Sequence, residues 1–216
     1  LFNIDAERIY LMRDFAGVKP LFYSFSDENL VFGSQYNQIV KHPLNQTNEI
    51  DLEVLKLYIE MHYMPAPYGI ISNTFQVEQG QIIEIAQGKI VSKRYFWEFP
   101  ELDTQNLITN ETEAINAVEA ALEKTVQLTL NSDVPVGSFL SGGIDSPLIT
   151  FFANKFQHHI KAFSIGSDSK THDESMEAIK YAKEMGCDFH LKKMTSSDAL
   201  NILNESMSHL HEPFAD

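Results

Sequence analysis

The sequence predicts two differently built parts: an α+β first part made mostly of antiparallel strands, then an α/β part on a parallel sheet. Three observations carry this prediction. Hairpin signals run to about residue 100, a polar stretch without periodicity follows, and strand and helix signals then alternate to the end. The chain has 216 residues, 44% of them apolar and 21% charged, which is ordinary for a folded protein and excludes disorder as its main state.

In the first part, Arg8 to Met12 and Pro20 to Phe25 are rich in Ile, Leu, Phe and Tyr. The tract Ser26-Asp27-Glu28-Asn29 after them is turn chemistry, so a hairpin is expected. Leu52, Leu55, Ile59 and Tyr63 recur at helical spacing behind Asp51 as N-cap, until Pro65 and Pro67 stop the helix. Gln81 to Ala86 and Lys89 to Phe96 flank Gln87-Gly88, the signature of a second hairpin. Residues 101–108 read as a linker between a domain at 1–100 and another at 109–216.

The second part opens with a long helix whose Ile115, Val118, Leu122, Val126 and Thr129 share one face. Then follow a strand over Val134 to Leu140, a helix from Ser146, a strand over Lys161 to Ile165 and a helix over Asp173 to Met185. A strand over Phe189 to Lys192 and a helix over Ser197 to Leu210 complete the alternation. Ligands of such sheets sit at the carboxyl ends of the strands.

Charge narrows the partners. Sixteen basic against 30 acidic side chains leave a net charge of −14, and no basic run exceeds the pairs Lys93-Arg94 and Lys192-Lys193. A nucleic-acid or anionic-membrane surface needs a basic stripe, so neither partner is expected. No apolar stretch approaches the roughly 18 residues of a membrane span. The first residues carry no basic leader and no initiator Met, and the chain reads as an interior piece of a longer protein. The single cysteine, Cys187, fits a reducing cytoplasm; its place after Gly186 at a helix end marks it as a small packing residue.

The segment that carries chemistry is Phe139-Leu140-Ser141-Gly142-Gly143-Ile144-Asp145-Ser146-Pro147. An apolar strand runs through two glycines into a helix, so backbone N–H groups and a positive helix end converge, an anion cradle suited to phosphate. The hydroxyls of Ser141 and Ser146 extend the donor set. Asp145 would repel a bare phosphate unless a divalent cation lies between them, which implies Mg²⁺. No Lys-Ser or Lys-Thr follows the glycines, so this is not a Walker loop.

The run SGGIDS resembles the pyrophosphate loop of the ATP pyrophosphatase superfamily, and the longer VPVGSFLSGGIDS is similar to the glutamine-hydrolysing asparagine synthetase family. The segment Arg13-Asp14-Phe15-Ala16-Gly17-Val18-Lys19-Pro20-Leu21-Phe22-Tyr23 resembles a motif late in the glutaminase domain of that family. Lys161 to Gly166, Asp173-Glu174 and Glu212-Pro213-Phe214-Ala215-Asp216 match in order. The resemblance implies the C-terminal part of a class II glutamine amidotransferase domain at 1–100. It implies the N-terminal half of an ATP-dependent synthetase domain, with the adenine nucleotide alpha hydrolase-like parallel sheet, at 109–216.

It further implies adenylation of the aspartate side chain by ATP and Mg²⁺, release of pyrophosphate, and displacement of AMP by ammonia from glutamine, with a homodimer as the full-length form. Ser141, Gly142, Gly143, Asp145 and Ser146 would hold the ATP pyrophosphate, with Asp145 on the metal, and the backbone at Phe139 and Ile165 would line the adenine. Departures limit the transfer. The family nucleophile is an N-terminal cysteine where this chain has Leu1, so the chain alone is expected not to hydrolyse glutamine. A second synthetase motif, S-G-x-G-x-D-E, is absent. Pro147 stands where the family commonly has Ser; it suits the first helical position but removes one amide and one hydroxyl, so weaker pyrophosphate contact is expected. Two rivals stay open: a ligase acting on another carboxylate, such as a sugar acid or lactam precursor, and a nonenzymatic nucleotide-binding relative.

Overall fold

A computed structural model describes residues 1–3, 7–26, 29–168 and 173–213. It divides into two compact units, 1–102 with 205–216, and 103–204.

The first unit stacks two antiparallel sheets. One has the order β1 (Phe2–Asn3), β2 (Arg8–Met12), β6 (Gln81–Ala86), β7 (Lys89–Tyr95). The other has the order β4 (Asn29–Gly33), β3 (Phe22–Ser26), β5 (Thr74–Gln76). Leu11, Tyr23, Val77, Ile83 and Ile85 form the shared core. Strand β3 lies between two partners and is buried on both faces: Tyr23 enters this core, while Phe22 packs on the opposite side with Tyr36 and Ile39. Both expected hairpins are present. Gln87 and Gly88 have φ of 50° and 66°, the doubly left-handed pair that a two-residue hairpin turn needs. Asp27 and Glu28 of the other turn lie outside the described residues.

Helix α1 (Tyr36–Val40) and a 3₁₀ turn (Pro43–Asn45) are additions that periodicity did not reveal, because they are too short for a repeat. Helix α2 (Leu52–Met61) has the expected cap, with Asp51 accepting from the N–H groups of Glu53 and Val54. Its buried face differs from expectation. Val54 is buried, Leu57 and Tyr58 are partly so, and of the expected face only Leu55 is partly buried, whereas Leu52, Ile59 and Tyr63 are exposed. Arg13 and Asp14 build a turn without an ion pair between them. The Arg13 guanidinium donates to the carbonyls of Val77 and Gly17, and the Asp14 carboxylate accepts from the N–H groups of Val18 and Lys19 at 3.0 Å each.

The second unit carries a parallel sheet in the order β10 (Asp188–Met194), β9 (Lys161–Ser167), β8 (Gly137–Phe139). The expected strand over Val134 to Leu140 shrinks to three residues, since Pro135 offers no N–H to a ladder. Helices α3 (Glu111–Thr129), α4 (Asp145–Phe156), α5 (Ser175–Met185) and α6 (Ser196–His209) complete the alternation. In β9 the small residues Ala162, Ser164 and Gly166 face inward, and Ala162 packs on Ala178 and Ala182 of α5. A Cβ at Gly166 would lie 3.3 Å from Ser175, so this strand end needs its glycine to let α5 close in. The expectation of a sheet covered by helices is met on that face; on the other, Phe139, Phe163 and Ile165 are exposed among the described residues. Along α3 the stripe is buried only at Val126, which joins Phe152, Ala153 and Ile160; Leu122 is partly buried, and Ile115, Val118 and Thr129 are exposed. Cys187 is half-buried against both helix-side clusters, as a packing residue should be, and burial raises its thiol pKa.

A candidate anion site at the end of a parallel strand

Strand β8 ends at Phe139. Leu140 is buried and donates its N–H to the Phe163 carbonyl at 2.8 Å, which anchors the strand end to its neighbour. The chain then turns through Ser141, Gly142, Gly143 and Ile144 into α4. Ser146 Oγ accepts the Ser141 N–H at 2.8 Å, the two serine hydroxyls share a hydrogen bond of 2.8 Å, and the Gly143 N–H donates to Ser141 Oγ at 3.3 Å. Together these bonds fold the loop back over the first helical turn.

The two glycines have different reasons. Neither has a positive φ, so the left-handed freedom of glycine is not what the turn uses. A Cβ on Gly142 would lie 3.0 Å from the Cβ atoms of both Glu174 and Glu177 and 3.2 Å from the Glu174 carbonyl oxygen. One on Gly143 would meet Ser141 Oγ at 3.4 Å, an ordinary contact. Gly142 is therefore required by the start of α5, and Glu174 and Glu177 enter the site's surroundings without any motif in the sequence announcing them. The tie is direct: the Gly142 N–H donates to Glu174 Oε2 at 3.1 Å.

Asp145 is the first residue of α4, exposed, and without a hydrogen-bond or ion-pair partner among the described residues. The first amides of a helix have no acceptor within it, so the amides at Asp145 and Ser146 add donors to the loop, and the positive helix end favours an anion there. Pro147 is the third residue of the helix, not the first, and is buried. It still costs no helical hydrogen bond, because the ladder begins with the Leu148 N–H on the Ile144 carbonyl. Among the described residues no group of three or more His, Cys, Asp or Glu could hold a metal by itself. The donor set nonetheless suits Mg²⁺ brought on phosphate, which takes one or two carboxylates and completes its shell with phosphate oxygens and water.

Phe139 and Ile165 lie on the sheet face opposite α4 and α5, 81% and 62% exposed. Phe139 sits beside Phe163 in register, and Ile165 is two residues further along the same strand. With His190 and Lys192 they line a cavity of about 440 Å³. The Phe163 ring stacks on His190 at 5.2 Å between centroids. Neither Phe163 nor His190 belongs to the loop motif. The period-2 alternation of β9 and β10 was the available signal, since it places them on the face of Ile165.

In the first unit a second cavity, about 420 Å³, is lined by Phe22, Tyr36, Met64, His211, Glu212 and Pro213 among others. Burial raises the Glu212 carboxyl pKa, and the Arg13 guanidinium pulls it back down. His211 Nδ1 is buried without a partner among the described residues. Phe214, Ala215 and Asp216 of the terminal motif lie outside the described residues.

Residues 1–97 match the glutamine amidotransferase domain family, and residues 117–216 match the asparagine synthase family. Asparagine synthetase (glutamine-hydrolyzing) 1 of Bacillus subtilis is 30% identical over 217 residues, covering 100% of this chain and 33% of that protein. Over its whole length the chain is similar to glutamine-hydrolysing asparagine synthetases. A second relative is putative asparagine synthetase (glutamine-hydrolyzing) 2 of Methanocaldococcus jannaschii, 30% identical over 223 residues, covering 100% of this chain and 42% of that protein. A third, more distant, is amidase chyE of Penicillium rubens, 23% identical over 238 residues, covering 100% of this chain and 34% of that protein. The chain thus spans between a third and somewhat over two fifths of the length of these relatives. Its order of segments is that of the amidotransferase part followed by the synthase part. Among the described residues no helix is long and apolar enough to cross a membrane.

Proposed function

We propose that the protein carrying this chain amidates aspartate to asparagine, with ATP as the activating substrate and glutamine as the source of ammonia. The aspartate side-chain carboxylate attacks the α-phosphorus of ATP, the bond to pyrophosphate breaks, and ammonia then displaces AMP from the acyl carbon. The observation that carries this reading is the Ser141–Ser146 loop: two linked hydroxyls and one carboxylate at a helix start, where the first amides have no acceptor within the helix, at the carboxyl end of a parallel strand.

In this reading the amides and hydroxyls of Ser141, Gly142, Gly143 and Ser146 hold the departing pyrophosphate and stabilise charge where it develops. Mg²⁺, when bound with the nucleotide, neutralises phosphate charge beside Asp145. The backbone at Phe139 and Ile165 faces the adenine, in a sheet of the ATP pyrophosphatase type. Residues 1–100 are then the C-terminal part of a class II amidotransferase domain, 101–108 a linker, and 109–216 the N-terminal half of the synthetase domain. The half-buried Cys187, its thiol raised by burial, does not serve as the glutaminase nucleophile. A cytoplasmic place of action goes with this chemistry.

The test is exchange of labelled pyrophosphate into ATP by the full-length protein, with and without aspartate. Aspartate-dependent exchange supports the reading. A second reading is ligation on another carboxylate. Exchange that depends on a sugar acid or a lactam precursor but not on aspartate would favour it, and no exchange with any acceptor would favour a nonenzymatic relative.

A further inference from the structure

The Gly142 amide is one of the donors that the phosphate reading needs, yet it is engaged. Its N–H donates to Glu174 Oε2 at 3.1 Å. The backbone that carries Glu174 is held in place. Its neighbour Asp173 accepts from the N–H groups of Ser167 at 3.3 Å and Ser175 at 3.1 Å, which ties the start of α5 to the end of β9. Gly166 lets the helix start approach β9, and Gly142 lets the loop approach the Cβ atoms of Glu174 and Glu177. The carboxylate is thus presented to the loop by fixed backbone on both sides. The other loop contacts are internal: Ser141 and Gly143 donate within the loop, while Gly142 alone among these three reaches outside it, to a negative charge.

We propose that Glu174 is a placeholder: its carboxylate holds the Gly142 amide of the anion cradle and must be displaced when a phosphate group takes that donor. This deepens, and rests on, the reading of the loop as a pyrophosphate site. Two consequences follow from charge. The carboxylate keeps the loop formed without ligand, because an amide bonded to an anion is a strong contact. It also competes with phosphate for one donor and repels it, so nucleotide affinity is set lower than the loop alone would give. Glu174 is a positioning residue in this account and takes no part in the chemistry.

The experiment follows Mg²⁺-pyrophosphate binding and the Gly142 amide in the full-length protein, as wild type and as Glu174→Ala and Glu174→Gln. Carbonyl-labelled serine with ¹⁵N-glycine selects the amides of Ser-Gly steps, of which this chain has one at Ser141-Gly142, and the signal lost in Ser141→Ala identifies the Gly142 amide. In the ligand-free protein, Glu174→Ala is expected to shift the Gly142 resonance. Its pyrophosphate affinity should rise about three- to tenfold, the scale of one exposed charge contact. Glu174→Gln, neutral but still an acceptor, should fall between. An unmoved Gly142 resonance overturns the contact. Equal affinity overturns the competition, and weaker affinity in Glu174→Ala overturns it in favour of a metal- or phosphate-holding role for Glu174. If neither wild type nor variant binds pyrophosphate while the resonance does shift, the pyrophosphate reading of the loop fails and takes the displacement proposal with it.

Discussion

Ser146, in the first turn of α4, holds Ser141 twice: its Oγ accepts the Ser141 backbone N–H at 2.8 Å and meets the Ser141 hydroxyl at 2.8 Å. Five residues apart, they close the loop onto the helix that it precedes. The motif's two serines are therefore structural partners before any ligand is considered.

Ser146→Ala removes both contacts and leaves the Ser141 N–H to solvent. Stability should fall by about 0.5–1.5 kcal/mol, the net value of an ordinary hydrogen bond. Pyrophosphate affinity should fall more than Ser141→Ala makes it fall, because Ser146→Ala frees the Ser141 amide from a bond of 2.8 Å, whereas Ser141→Ala frees the Gly143 amide only from a longer one of 3.3 Å. Denaturant unfolding and isothermal titration of both variants check this ordering.

Asp145 has no hydrogen-bond or ion-pair partner to lose among the described residues, so Asp145→Asn should lose only the favourable place of its charge at the helix N-terminus, about 0.3–1 kcal/mol. Pyrophosphate exchange into ATP should drop by about 10²-fold or more, as when one electrostatic stabiliser is removed. Glutamine hydrolysis should stay near wild type. An exchange rate unchanged in Asp145→Asn would sink its assignment to the metal.

Pro147→Ser tests two effects of opposite sign. Restoring an N–H at the third helical position adds a donor beside the loop, and pyrophosphate affinity is expected to rise, by up to about tenfold. The ring is buried, and a serine there loses its packing and the rigidity of proline, so stability should fall by about 1 kcal/mol. Equal affinities would mean that the amide at this position does not face the ligand.

For Glu212, burial raises the carboxyl pKa above its unfolded value. The folded state then binds the proton more tightly, so stability is greatest below the unfolded pKa. It falls as pH rises from there through the folded pKa, and is level above it. Glu212→Gln should accordingly raise the melting temperature of the first unit at pH 7, by about 1–3 °C, and change it little at pH 4. A variant less stable than wild type at pH 7 would mean that attraction to Arg13 outweighs burial.

The sequence by itself determined what depends on near neighbours along the chain. Gln87-Gly88 dictates its hairpin, Asp51 its helix cap, and Ser141 to Ser146 the turn between β8 and α4, because each is settled by backbone preferences and bonds across a few residues. The alternation after residue 109 likewise announced a parallel sheet. Contacts between distant segments were decided only by the tertiary structure. Nothing local tells that Gly142 is needed because Glu174 and Glu177 press on it from 32 and 35 positions away, while Gly143 is not under the same pressure. Nor does α2's own spacing reveal that Val54, not Leu52 and Ile59, faces inward, since burial depends on which neighbour the helix meets. Periodicity ranks the faces of an element; the packing of the sheets and helices around it chooses which face water leaves.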